Sequence, residues 1–169
     1  MNPRTKEIII GVSGINAVDN PGPGVGIARA LKEDRELNAR IVGLAYDAME
    51  PGVYLDWLID KTYIVPYPSS RKDALLERLA YIKATSGLDF IFPNLDAELP
   101  FYTQCREEIE ELGIKVFVPE PEQFKLRGKD RLPRVAQEVG IDIPPTLAVY
   151  TYAELMEGIE TLGLPLMVK

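Results

Sequence analysis

Apolar residues in this chain fall in short β-branched runs, and the stretches between them repeat at helical spacing. Glu7-Ile8-Ile9-Ile10-Gly11-Val12 reads as a buried strand, and Val25, Ala28 and Leu31 then mark a helix beyond a long loop. Arg40 to Ala45 is a second strand, and Tyr63-Ile64-Val65 a third, closed by Pro66 and Pro68. Ser70 and Asp73 form an expected capping box for a helix whose core face is Leu75, Leu76, Leu79 and Ile82. Asp89 to Pro93 is the fourth strand and Lys115 to Val118 the fifth. Between them Phe101, Cys105, Ile109 and Leu112 lie on one helical face that Gly113 is placed to end.

Strands alternating with helices of this length predict an α/β fold, a Rossmann-like doubly wound parallel sheet covered on both faces. Beyond Pro119 the pattern changes. A polar segment, Glu120 to Phe124, leads into a helix carrying Leu132, Val135, Ala136 and Val139, with Pro133 in its first turn and Gly140 at its end. A strand at 146–149, a helix capped by Thr151 and Glu154, and a last strand at 164–169 complete the expectation. An isolated pair of strands is marginal, so this second unit reads as cut short. The domains expected are 1–120 and an incomplete 121–169.

The net charge of −7 and the scattered Lys and Arg exclude a concentrated nucleic-acid surface. No apolar run approaches membrane-spanning length and no signal peptide opens the chain, so a cytoplasmic protein is expected. The single cysteine, Cys105, reads as a buried structural thiol. The absence of histidine removes Ser-His-Asp and Cys-His chemistry and the commonest transition-metal ligand. Carboxylates, lysines, backbone amides or a bound hard cation remain.

Two loops at the carboxyl edge of the sheet carry the candidate chemistry, because ligands of open α/β sheets bind there. The first runs from Gly11 through Ser13, Gly14 and Asn16 to Gly22, Gly24 and Gly26. Its glycines allow close backbone approach, and Asp47 after the second strand could mimic a ribose-binding acid. The loop is long for a dinucleotide fingerprint, however, and its prolines remove amide donors. A loop bordering an active site is the competing reading, with Asp47 then a solvated loop residue. The second loop holds Asn94, Asp96 and Glu98, which could bind a cation or orient an amine; Glu98 could equally favour the dipole of the following helix.

The stretch Gly128-Lys129-Asp130-Arg131-Leu132…Val139-Gly140-Ile141…Pro144-Pro145, with Gly163-Leu164-Pro165-Leu166-Met167-Val168-Lys169, resembles the ATP-grasp superfamily. Carbamoyl-phosphate-synthase-like and biotin-carboxylase-like members are the nearest in kind. In outline the resemblance covers the whole chain, as a pre-ATP-grasp domain followed by a truncated opening of the ATP-grasp domain. Two features depart from the family pattern: Pro133 lies close to the helix start, and Lys129-Asp130 reverses the commoner Asp-Lys order. The resemblance gives Lys129 and Lys169 a nucleotide-binding role toward ATP phosphates, where lysine supplies a compact positive charge.

It also implies ATP and Mg²⁺ in the complete enzyme, a carboxylate activated as an acyl phosphate, and attack by an amine or similar nucleophile. The metal-binding carboxylates, the flap and the adenine pocket would lie beyond Lys169, so no metal site and no tight cofactor binding are expected here. Catalytic residues stay unassigned. The remainder of the ATP-grasp domain, in cis or as a split-gene product, is the implied partner, and a homo-oligomer is compatible with the acidic surface. An excised domain, a split-gene product and a remnant would each end this way; an exposed strand edge favours the first. The alternative is a nucleotide- or dinucleotide-binding module without catalysis. In the complete protein, Lys129→Ala and Lys169→Ala should each depress ATP turnover if the ligase reading holds, whereas a binding module should lose nucleotide affinity at Gly24→Ala and keep it at Lys129→Ala.

Overall fold

A computed structural model describes residues 6–16, 22–126 and 128–168. The chain divides into two compact units, Met1–Pro119 and Glu120–Lys169. The first holds a five-stranded sheet in the order β3-β2-β1-β4-β5. Its strands are β1 (Ile8–Val12), β2 (Ala39–Ala45), β3 (Lys61–Ile64), β4 (Phe90–Phe92) and β5 (Lys115–Val116). All four pairings are parallel, with Ile10 opposite both Ile41 and Phe90, Leu44 opposite Tyr63, and Ile91 opposite Val116. The expected doubly wound α/β architecture is the observed one.

Each face of the sheet has its own core, as the near-continuous apolar strands require. On one face Val42, Leu44 and Ile91 pack with Leu75, Leu79 and Ile82 of α2 (Lys72–Ser86). Tyr102 of α3 (Leu99–Gln104) and Ile109 of α4 (Arg106–Glu111) complete that layer. On the other face Ile10, Val12 and Ile41 pack with Ala28 of α1 (Gly24–Glu33), Ile15, Leu58 and Ile59. The helix expected across Phe101 to Leu112 is interrupted at Cys105, yet Tyr102, Cys105 and Ile109 are all buried. Gly113 follows with a φ of 74°, in the left-handed region where glycine carries no Cβ penalty.

The Ser70/Asp73 capping box does not form. The Ser70 amide donates to the Tyr67 carbonyl in a turn, so α2 starts two residues later with Arg71 as its N-cap and no side-chain cap. Asp73 instead pairs with the Arg71 guanidinium at 2.7 Å. At the outer strand β3, Arg78 Nε donates to the Ile64 carbonyl at 2.7 Å, its guanidinium lying over the rings of Tyr63 and Tyr81.

The second unit contains α5 (Pro121–Leu126), α6 (Leu132–Val139) and α7 (Tyr152–Leu162). The polar segment after Pro119 is thus helical, its start tied by Gln123 Oε1 accepting from the Glu120 amide at 3.0 Å. Pro133 sits in the first turn of α6, and Gly140 caps its end with a φ of 70°. The Thr151–Glu154 capping box forms as expected. The strands expected at 146–149 and 164–169 do not: residues 141–150 and 166–168 carry no regular structure, and Lys169 lies outside the described residues. A strand exists only in a ladder, and no neighbouring strand is present among the described residues of this unit. Among the described residues of this unit, Ala136 is the only buried hydrophobic, while Tyr150, Leu164 and Met167 are exposed.

This distribution of packing has a measurable consequence. Leu79→Ala, at a fully buried position, should cost about 2–5 kcal/mol in urea unfolding followed by circular dichroism. Leu164→Ala, at an exposed one, should change stability by no more than about 0.5 kcal/mol.

Candidate functional site

The carboxyl ends of β1, β2 and β4 meet at one buried carboxylate. Glu98, the residue before α3, is 0% exposed. Its Oε1 accepts from the Ser13 hydroxyl and from the amides of Asn94 and Leu95, the last at 2.9 Å. Its Oε2 accepts from the Tyr46 hydroxyl. Ser13 follows β1, Tyr46 follows β2 and Asn94 follows β4, so a single side chain joins three strand ends. Asn94 reinforces the junction by donating from Nδ2 to the Ser13 and Phe92 carbonyls, each at 2.9 Å, while its amide also reaches Ser13 Oγ at 2.9 Å.

Tyr46 is the member that sequence reasoning missed. Burial first, then the neighbouring Tyr102 and Glu98, push its hydroxyl far above the ordinary tyrosine range, so it stays a protonated donor. Its ring stacks on Tyr67 with centroids 5.5 Å apart. At its backbone end, Glu50 Oε1 accepts from the Tyr46 amide at 2.7 Å. Tyr102 is likewise displaced upward, by burial first, and its hydroxyl has no hydrogen-bond partner among the described residues. The visible signal for Tyr46 is its position: an aromatic with a polar tip directly after an apolar strand, at the edge where ligands bind.

The glycine-rich loop closes on itself. The Gly22 amide donates to the Asn16 carbonyl and the Gly24 amide to the Gly14 carbonyl, both at 3.0 Å. A Cβ at Gly24 would stand 2.0 Å from the Ser13 carbonyl oxygen, and one at Gly22 would stand 2.2 Å from that of Gly14. These two glycines are therefore demanded by backbone meeting backbone. Gly26, in the first turn of α1, faces open space instead.

Of the sequence candidates, Ser13, Asn94 and Glu98 come together, with Asn16, Gly22 and Gly24 in the adjoining loop. Asp96 is exposed in the same loop as Glu98. Asp47 is an exposed turn residue whose Oδ1 accepts from the Met49 amide at 2.7 Å. Lys129, in the second unit, is exposed before α6, and Lys169 lies outside the described residues. Cys105 is buried, with burial raising its thiol. Among the described residues, no group of three or more His, Cys, Asp or Glu side chains could hold a metal ion, and no helix is long and apolar enough to cross a membrane.

The fold has counterparts among solved structures. The biotin carboxylase domain of a single-chain bacterial carboxylase superimposes with a TM-score of 0.53 at 21% identity, over 94% of this chain and 35% of that one. A biotin carboxylase–βγ-ATP complex from Campylobacter jejuni gives 0.54 at 22% identity, over 95% of this chain and 34% of that one. Rhizobium etli pyruvate carboxylase gives 0.53 at 16% identity, over 94% and 15%. The chain therefore spans about a third of the length of the biotin carboxylase domains whose fold it shares. No protein-family model and no curated protein sequence matches it.

Two substitution pairs probe the junction and the loop. Glu98→Ala strands two hydroxyl and two amide donors and should cost roughly 2–4 kcal/mol. Glu98→Gln keeps an acceptor for Ser13, Asn94 and Leu95 and can donate to Tyr46, so it should cost less than about 1.5 kcal/mol; urea midpoints read both. Gly24→Ala should destabilise by about 1–3 kcal/mol through overpacking, and Gly26→Ala should stabilise by about 0.5–1 kcal/mol in thermal unfolding.

Proposed function

We propose that this chain is the N-terminal portion of an ATP-dependent ligase of the ATP-grasp type, the class that activates a carboxylate as an acyl phosphate for attack by an amine or similar nucleophile. Residues 1–120 would be its pre-ATP-grasp domain and 121–169 the opening of its ATP-grasp domain. The observation that carries the reading is the order of parts. A doubly wound sheet is followed at once by a unit in which Lys129 precedes α6, α6 ends at a left-handed Gly140, and a capped α7 leads to the Pro-Leu-Met-Val-Lys segment. The shared fold of biotin carboxylase domains is in accord with that order.

On this reading Lys129 and Lys169 supply positive charge to the phosphates of ATP. The carboxyl-edge loops of the first unit, anchored on Ser13, Asn94 and Glu98, are the substrate-loop candidates. Mg²⁺ would neutralise phosphate charge in the complete enzyme. On the family resemblance the metal would be held by other parts of that enzyme, with the remaining ATP-grasp domain as the partner in cis or in trans. Carbamoyl-phosphate-synthase-like and biotin-carboxylase-like chemistry both fit the class. Gly24→Ala is a poor discriminator of the rival nucleotide-binding module, because that substitution disturbs loop packing directly.

Isothermal calorimetry tests the proposal with the chain and with a longer protein that contains it. The chain alone should bind MgATP weakly and hydrolyse none. The longer protein should form a hydroxylamine-trappable acyl phosphate, with ATP turnover reduced on the order of 10-fold or more by Lys129→Ala. Tight Mg²⁺-dependent ATP binding by the isolated chain, or unchanged turnover in Lys129→Ala, would overturn it.

A further inference from the structure

We draw no further inference here: the strongest candidate, the apolar surface of the second unit around Leu147, Tyr150, Met156 and Leu164, carries nothing because nothing in the structure shows what covers it.

Discussion

A carboxylate buried without a cation beside it is expensive unless hydrogen bonds replace its lost hydration. Glu98 meets that condition with two hydroxyls and two backbone amides, and the arrangement of the carboxyl edge follows from it. To serve as donors, Ser13 and Tyr46 must leave β1 and β2 at fixed positions, and the chain after β4 must turn tightly enough to present consecutive amides. The loop beyond Ser13 then closes through Gly14, Asn16, Gly22 and Gly24. Gly52 extends the same tie to the turn after β2, donating its amide to the Ile15 carbonyl at 2.9 Å. One charge thus sets the geometry of segments far apart in sequence.

Beneath that edge the sheet rests on two unequal cores. The layer under α2, α3 and α4 contains the larger side chains, with Tyr102 and Ile109 against Ile91. The layer under α1 has no buried aromatic and includes Ala28 and Ala45 beside Ile10, Ile15, Ile41 and Leu58. Among its described residues the second unit has no comparable interior. Its helices are well started and well ended, by the Thr151–Glu154 box and by Gly140, yet local signals of that kind secure helix limits without supplying a core.

This contrast explains what could be read from the sequence. The first-unit strands were legible because β-branched runs bounded by Gly and Pro have few other uses, and α6 and α7 because their caps are written in consecutive residues. The segments 146–149 and 164–169 have strand-like composition, but a ladder needs a neighbour that composition does not provide. Ser70 had the right residue type for a cap and was drawn into a turn with Tyr67. At the site, the loops and their polar members were visible. The convergence on Glu98 was not, since Ser13 lies 85 residues away and Tyr46 lies 52 away. Gly22 and Gly24 were visible as candidates, and self-contact of the loop accounts for their lack of a side chain without any ligand.

The outer strand β3 leaves one side without a strand neighbour, and there the Arg78 guanidinium occupies the Ile64 carbonyl. A strand arriving from another molecule would have to displace a charged group held by two aromatic rings to reach the Ile64 carbonyl. At this margin a single arginine places a charge where a strand from another molecule would pair, which works against edge-to-edge stacking of sheets, the first step toward fibres.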